Sequence, residues 1–273
     1  MSLNEAQIGV STCERAKLPM TNRLRVQTYI PNALNNLARS TVNDYEKRQL
    51  LVTDSTAVTS TITASGGTFY SDISTLLNTP GIMPDYLEYG TVFVTYPVTT
   101  FTTGNVNTTL DTVTITAHGY KTGLQIRLTT SNTLPAGLSL LTSYWLIVLD
   151  VNTIQFATTS ADAFAGVFVD LTSVGIGTQT ITQYGPLDVL QWVDVPAFAN
   201  LDTGGTPIPF IYGWLQGSKI FLTGVNGGTL NFAVPFIPTL ATLPSQLESD
   251  LIDQMIDLVI NSGEELPEES AIK

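Results

Sequence analysis

The chain has 273 residues, 43% of them hydrophobic, which is enough for the core of one large domain or two modest ones. Only 12% of the residues are charged and the formal net charge is −12, which argues against a general nucleic-acid-binding protein because phosphate contacts need clustered Lys and Arg. A single cysteine and a single histidine exclude an internal disulfide, a Cys-cluster zinc site and a His-rich metal centre.

The charges are unevenly distributed along the chain. Seven of the eleven Lys and Arg residues precede residue 49, whereas most of the 23 acidic residues follow it. Two interpretations stay open at this point. The basic end could contact the acidic end of another copy or an acidic neighbour, or it could be an ordinary solvated helix face.

The first element that the pattern predicts, after an irregular start, is an amphipathic helix over Ile30 to Tyr45 with Asn32 as its N-cap. Its apolar positions at helical spacing are Ala33, Leu34, Leu37, Ala38 and Val42. From Gln49 onwards short β-branched runs predict strands, interrupted by one short helix. The predicted strands cover 50–53, 58–63 and 89–96, and the short helix covers 70–77.

Residues 101–183 differ from the rest because they are poor in charge, rich in Thr and Gly, and built from closely spaced strand patterns. These strands are predicted near Val113 and Ile115 and over 124–128, 144–149, 153–157 and 178–181. The segments on either side also have strand patterns. We therefore predict a small all-β domain inserted between two strands that lie side by side in a core sheet.

After the insertion, strands are predicted over 187–193, 217–223 and 229–234, with the last two joined as a hairpin through Gly224 to Gly228. Ser245 and Glu248 have capping-box spacing at the start of a helix. Its apolar positions are Leu247, Leu251, Met255, Leu258 and Val259; its acids are Glu248, Asp250, Asp253 and Asp257, followed by the tail acids Glu264, Glu265, Glu268 and Glu269.

The expected fold is therefore mainly β with a few helices. A core β-sheet or sandwich with an N-terminal and a C-terminal helix is predicted for 1–100 plus 184–273, and the inserted all-β domain for 101–183. The chain shows neither a signal-peptide pattern at its start nor a run of 18 apolar residues. We expect a protein that is made in a cytosol and stays soluble, without a membrane contact.

Candidate chemistry is sparse. A Cys13–His118 dyad would need two distant residues to meet, and the acid pair Asp85 and Glu88 is more typical of a solvated turn before a strand. The acids of the C-terminal helix lack calcium-loop spacing and suit a solvated face. Trp145, Trp192 and Trp214 could line a sugar-binding face, although strand aromatics usually belong to a core or an interface. We predict no enzyme activity and no catalytic, cofactor-binding or metal-binding residues.

The inserted segment carries a specific pattern. It resembles a small all-β repeat that is common in virion proteins of tailed bacteriophages, and the match covers about a third of the chain. The elements of the repeat are His118-Gly119, Thr122-Gly123, Leu134 to Leu138, Tyr144 to Asp150, Asn152 to Thr158 and Gly177 to Ile181. His118 corresponds to a turn of that repeat, not to a catalytic position.

The flanking parts resemble the head-to-tail connector, or neck adaptor, proteins of such phages. The similarity lies in an aromatic strand, the strands GSKIFLT and TLNFAV, the Pro-rich stretch Val234 to Pro244 and the closing helix. It implies a structural, non-enzymatic subunit of the virion, assembled in the host bacterial cytoplasm. The implied partners are further copies in a ring and the portal or tail proteins, with DNA passing through a lumen. The long N-terminal segment and the Pro-rich stretch would suit extended arms.

Two alternatives stay open. One is another virion role, such as a tail-tube, baseplate, decoration or fibre-attachment protein. The other is a module that binds or cleaves host glycans, which would use the tryptophans or the carboxylate pair.

Overall fold

A computed structural model describes residues 4–16, 23–43, 48–51, 59–65, 68–79, 81–83, 87, 91–193, 209–233 and 235–262. The fold is mainly β with helices near both ends, which confirms the predicted class. The chain forms two compact units. The helical unit comprises Met1–Asp54, Asn78–Gly90 and Ala233–Lys273, and the β unit comprises Ser55–Leu77 and Thr91–Phe232. The predicted domain division at residues 101 and 183 stays a prediction.

The helices, in chain order, are α1 Glu5–Arg15, α2 Arg23–Gln27, α3 Ile30–Asn43, α4 Ser74–Leu77, α5 Ser160–Ala165 and α6 Glu248–Asn261. The strands of the first sheet are β1 Thr59–Ser65, β2 Thr68–Asp72, β3 Thr91–Thr95, β11 Asp188–Trp192, β12 Ile211–Gln216, β13 Lys219–Thr223 and β14 Thr229–Ala233. Those of the second sheet are β4 Thr99–Phe101, β5 Val106–Asn107, β6 Thr112–Thr114, β7 Gln125–Thr130, β8 Ser143–Asp150, β9 Thr153–Ala157 and β10 Gln179–Gln183.

The start of the chain is more ordered than its sequence predicts. Helix α1 begins with a capping box in which Asn4 and Gln7 exchange side-chain-to-backbone hydrogen bonds of 2.9 Å. Its buried face includes Ile8 and Cys13. The expectation of an irregular start that serves as an arm is therefore wrong for Glu5–Arg15, because Asn4 and Gln7 cap a helix there.

Of the three predicted helices, the one over 70–77 is wrong in its first half, since Thr68–Asp72 is strand β2 and only Ser74–Leu77 is helical. The strand predicted over 50–53 is also wrong where it is described, because Arg48–Leu51 is a 3-10 helix.

The other two predicted helices are present, but their predicted caps are wrong. Helix α3 begins at Ile30, so Asn32 lies inside its first turn. Helix α6 begins at Glu248 after a short 3-10 turn over Ser245–Leu247, and no side chain caps it. The apolar stripes are confirmed: α3 buries Ala33, Leu34, Leu37 and Ala38, and α6 buries Leu251, Met255 and Val259. The side chain of Val42 lies outside the described residues.

The Pro-rich stretch before α6 packs onto the helical unit. Ile237 donates a backbone hydrogen bond to the Gly81 carbonyl at 2.6 Å, and Phe236 forms a bridge with Ile82. Leu243 is buried in the helical core. An extended arm is therefore wrong for residues 235–244, because their apolar side chains have partners within the same unit.

The first sheet closes into a seven-stranded barrel in the order β1-β14-β3-β11-β12-β13-β2. Strands β11 and β12 are parallel to each other, whereas the neighbouring pairs β3–β11 and β12–β13 are antiparallel. Strands β3 and β11, which flank the second sheet in the sequence, pair through Val94 and Asp188, so the expectation that the flanks lie side by side is confirmed.

Two details of the barrel differ from the prediction. Strands β13 and β14 do not form a hairpin, since β13 lies between β12 and β2 whereas β14 lies between β1 and β3. Strand β12 was not predicted, because Gly213 interrupts its apolar pattern. A Cβ there would lie 2.8 Å from Leu190 Cδ1 on the neighbouring strand, so a larger residue would require the leucine side chain to shift.

The second sheet has the order β4-β10-β7-β8-β9-β6-β5 and lies in the β unit with the barrel. Its pairs of described register are all antiparallel. Phe156 in β9 is fully buried and contacts Phe101 and Tyr144, with ring centroids 6.3 Å away in both cases. Every strand of this sheet comes from the contiguous segment 99–183, so all of its strand pairings lie within that segment.

Candidate functional site

Buried polar groups are concentrated where the chain passes between the barrel and the second sheet. Four segments meet there, and we call them together the junction. They are the β3–β4 link (96–99), the turn before β7 (118–121), the β10–β11 link (183–188) and the turn between β13 and β14 (226–228).

An ion pair is the strongest polar contact of the junction. Lys121 Nζ lies 2.8 Å from Asp188 Oδ1, and the two side chains are 6% and 21% exposed. The same ammonium donates a hydrogen bond of 3.1 Å to the carbonyl of Pro209. Because the pair is largely desolvated, loss of one partner would leave the other as an uncompensated charge. It therefore ties the turn before β7 to the first residue of β11.

Tyr120 provides a second set of contacts. Its ring is fully buried, and its hydroxyl lies 2.7 Å from Thr99 Oγ1 and donates to the Pro97 carbonyl at 3.0 Å. Asn226 of the barrel donates its amide to the Tyr120 carbonyl at 2.9 Å. Burial raises the pKa of the Tyr120 hydroxyl, so the phenol stays neutral and remains a donor.

Two glycines allow the backbones to come this close. Gly119 has φ +69° and Gly227 has φ +155°, which side-chain-bearing residues rarely adopt. A Cβ on Gly227 would lie 2.9 Å from the Gly119 Cα. The His-Gly turn of the second sheet therefore packs directly against the β13–β14 turn of the barrel.

His118 is held as a neutral ring. Its Nδ1 accepts from the Tyr120 N–H at 3.0 Å, which leaves Nε2 as the donor to the Asp150 carbonyl at 3.1 Å. The ring stacks on Tyr120 with centroids 5.3 Å apart. Burial lowers the pKa of His118, against a smaller opposing effect of its hydrogen bond to Asp150. Both ring nitrogens are thus engaged in hydrogen bonds to the backbone.

Tyr96 completes the buried group beside the ion pair. Burial, and after it the negative charge of Asp188, raise the pKa of Tyr96 well above its usual value. The Tyr96 N–H donates to Gln183 Oε1 at 3.3 Å, which links the two chain crossings between barrel and sheet. The hydrogen bonds and the ion pair of the junction fix the orientation of the sheet on the barrel. Among the described residues, three buried atoms, the Tyr96 hydroxyl, Gln183 Nε2 and Asp188 Oδ2, have no hydrogen-bond partner.

The residues considered for catalysis differ in where the structure places them. Cys13 is buried in the core of the helical unit, and His118 is packed into the junction of the β unit. Each of the two side chains is packed within its own unit. Asp85 and Glu88 lie outside the described residues. Among the residues that the structure describes, no group of three His, Cys, Asp or Glu side chains is placed to hold a metal ion.

The three tryptophans do not form one face. Trp145 packs against a small cluster beneath α5 in the second sheet. Trp214 lies on β12, with its ring 5.0 Å from Phe221, and Trp192 is on β11 opposite Gly213. The acidic face of α6 is partly neutralised within the helical unit, where Asp253 Oδ1 lies 2.9 Å from Arg15 Nη2. The basic start and the acidic helix thus meet within one copy at this point.

The sequence did not point to the Lys121–Asp188 pair or to Asn226. One signal was available, since Lys121 and Arg127 are the only Lys or Arg residues between 99 and 183. A lone ammonium in such a neutral segment needs a partner if it is buried. The partner is 67 positions away, and only the barrel topology identifies it.

In comparisons with known proteins, no family model, no curated protein and no solved structure matches the chain. Within the described part of the chain, none of the helices has the length and apolar character that a membrane crossing requires.

Proposed function

We propose that the chain is a structural subunit of a tailed-phage virion, and more specifically a head-to-tail connector (neck or adaptor) ring protein that joins portal and tail by self-association. The resemblance of the segment 118–181 to a repeat of phage particle proteins supports this class of function. The elements of that pattern coincide with strands of the second sheet, including β8, β9 and β10.

The observation that carries the proposal is the junction. A connector must transmit load between two large assemblies, and therefore needs its projecting parts held at a fixed angle. The Lys121–Asp188 ion pair, the Tyr120 hydroxyl and the Gly119–Gly227 approach provide such a connection through buried contacts. These contacts join segments of the protein to one another, which suits a protein that acts through its surfaces.

The net charge of −12 adds to this argument. A ring whose lumen carries acidic side chains would repel the DNA phosphates, so that the genome could pass without binding. The partners under this proposal are further copies of the chain, the portal and the tail, and the location is the virion, assembled in the bacterial cytoplasm.

The proposal is tested by mixing the purified protein with the portal protein and, separately, with the tail proteins encoded in the same genome. We expect a ring-shaped complex with the portal in size-exclusion chromatography and negative-stain images. Binding to tail, baseplate or capsid proteins alone would favour the other virion roles. Cryo-electron microscopy of whole particles without density for this fold would contradict both. Binding on a glycan array would favour the glycan-binding alternative.

A further inference from the structure

The chain contains one Asn-Gly pair, Asn226-Gly227, which lies in the turn between β13 and β14 at the junction. In such a pair the backbone nitrogen of the glycine can attack the side-chain amide of the asparagine, because the attack closes a five-membered ring. Glycine hinders this attack less than any other residue, since it has no Cβ. The pair is therefore the part of the chain most open to this reaction.

The packing of the junction requires the glycine of this pair. Gly227 has φ +155°, and a Cβ on it would lie 2.9 Å from the Gly119 Cα. That Cα belongs to the backbone of the facing turn, so it cannot move aside as a flexible side chain would. A larger residue after Asn226 would therefore push the two turns apart.

Two further features leave the reacting groups accessible. Asn226 is exposed, so water reaches its side chain. Within the part of the chain that the structure describes, the N–H of Gly227 has no hydrogen-bond acceptor. An amide without an acceptor loses its proton to hydroxide more readily than a bonded one, which makes this nitrogen available as a nucleophile.

The side-chain amide, in contrast, is held in place. Asn226 Nδ2 donates a hydrogen bond of 2.9 Å to the carbonyl of Tyr120, which joins the barrel to the turn before β7. Tyr120 is itself fixed, because its hydroxyl donates to the Pro97 carbonyl at 3.0 Å. Ring closure requires the Asn226 side chain to turn towards its own backbone, away from this bond.

We propose that Asn226 is a self-modification site that the junction controls. When the bond between Asn226 and Tyr120 opens, the Gly227 nitrogen attacks Asn226 Cγ, and the product prevents the bond from forming again. The inference concerns the connection between barrel and sheet, and it does not depend on the proposed virion function.

The reaction balances with water as its only co-reactant. The Gly227 nitrogen gives up its proton and forms a bond to Asn226 Cγ, while the bond from Cγ to Nδ2 breaks and Nδ2 leaves as ammonia with that proton. Water then opens the cyclic imide at one of its two carbonyls. Opening at Cγ gives aspartate, and opening at the backbone carbonyl gives iso-aspartate, in which the main chain runs through the former side chain.

Both products lose the contact with Tyr120. An ionised carboxylate at position 226 has no proton to donate to the Tyr120 carbonyl and is repelled by it. Iso-aspartate also adds a methylene group to the main chain directly before Gly227, which already lies against the Gly119 backbone. Because neither product reverts to asparagine, each modified molecule keeps a weaker connection between its sheet and its barrel.

The test follows each asparagine by peptide mapping and mass spectrometry while the purified full-length protein is incubated at mildly alkaline pH. Asn231 is the internal control, because it is followed by Phe232 and donates its amide to Thr95 Oγ1 at 2.9 Å. Lys121→Met weakens the junction by removing its ion pair. Lys219→Met is the matched control on the barrel exterior.

We expect Asn226 to be modified faster than Asn231 in the wild type. Lys121→Met should accelerate the modification of Asn226 at least about tenfold, because the junction opens more often, whereas Lys219→Met should leave the rate unchanged. Equal rates in the wild type and Lys121→Met would overturn control by the junction. An Asn226 that stays intact in both would overturn the site itself.

A second comparison does not depend on the stability of Lys121→Met. Asn226→Asp supplies one product directly, and hydrogen exchange in the turn 118–121 should be faster than in the wild type. Asn132→Asp is its control, since Asn132 Oδ1 accepts from Thr133 Oγ1 and an aspartate still accepts there. Unchanged exchange in Asn226→Asp would show that modification does not loosen the junction, which contradicts the inference.

Discussion

The barrel and the second sheet contain seven strands each, but they are assembled from different parts of the chain. The strands of the second sheet follow one another between residues 99 and 183. The barrel is built from three separated segments, and its closure requires β3 to pair with β11 across the whole second sheet. All pairings of the sheet therefore lie within one contiguous segment, whereas closure of the barrel must join residues on either side of that segment.

This difference makes the stabilities of the two bodies asymmetric. When the second sheet is folded, the pairing of Thr99 with Ile181 already brings the β3–β4 link and the β10–β11 link close together. When it is unfolded, β3 and β11 must pair across a flexible loop of residues 96–187, which costs about 4 kcal/mol of loop-closure free energy. Unfolding of the second sheet should therefore destabilise the barrel more than unfolding of the barrel destabilises the sheet.

The largest expected effects come from the two cores. Phe156→Ala in the sheet and Phe232→Ala in the barrel each empty a fully buried site and should lower the free energy of unfolding by about 3–5 kcal/mol. Hydrogen exchange should show lost protection in both bodies for Phe156→Ala. For Phe232→Ala, the strands of the sheet should stay protected.

Equal loss of protection in both bodies for both variants would contradict the asymmetry. It would mean that the junction couples barrel and sheet into one cooperative unit.

The next effect concerns the junction itself. Lys121→Met leaves the Asp188 carboxylate without its counter-charge and should destabilise the β unit by about 3 kcal/mol in a denaturant titration. Lys219→Met is the matched control, because Lys219 lies 4.4 Å above the Tyr70 ring on the barrel exterior and should cost less than about 1 kcal/mol. The double variant Lys121→Met/Asp188→Leu should recover most of the loss, since an apolar pair needs no counter-charge. Failure to recover would show that the ion pair contributes more than charge compensation.

The same contrast between local and distant contacts explains what the sequence could predict. Strand β9 was predicted with its observed bounds, Thr153–Ala157, because alternation and flanking turns suffice for a strand in a local sheet. The false hairpin of β13 and β14 shows the opposite case. Gly224 to Gly228 is a good turn signal, but barrel closure pairs β14 with β1 and places it beside β3.

The junction was only half predictable for the same reason. The His118-Gly119 turn is marked by its sequence, and the resemblance identified it as a turn. The partners of that turn, Asn226 and Gly227, lie more than 100 positions later and carry no distinguishing pattern. A single sequence marks positions that need a partner and does not say which distant residue supplies it.

A smaller loss of stability is expected from alanine substitutions at two glycines of the second sheet, Gly137 and Gly166. Gly137 has φ +104°, and a Cβ there would overlap the Asp170 carbonyl oxygen of the facing loop. Gly137→Ala should therefore destabilise the sheet by about 2 kcal/mol or more and loosen the contact between loops 131–142 and 166–178. Gly166→Ala, with φ +73° but open space around the Cβ, should cost only about 1 kcal/mol. Thermal melts of both variants compare the two values, and equal losses would show that backbone conformation alone matters.

The smallest effect is a pH dependence that originates at the junction. The folded protein lowers the pKa of His118, so the unfolded chain binds a proton more readily than the folded one. Stability should begin to fall as the pH drops below about 6.5, the usual His value, and the fall should end only below the lowered pKa of the folded state. Asp150 does not contribute in this window, because the Asn152 N–H lowers its pKa from an already acidic value.

His118→Asn provides the comparison, since an Asn side chain can still accept from the Tyr120 N–H but does not titrate. The variant should be less stable at neutral pH and should lose less stability than the wild type between pH values of about 7.5 and 5.5. His118 stacks on Tyr120, which contacts Pro97 in the β3–β4 link and Asn226 in the β13–β14 turn. The loss should therefore appear first as faster hydrogen exchange in the turn before β7. Identical pH profiles of wild type and variant would show that the ring is not desolvated by the folded barrel and sheet.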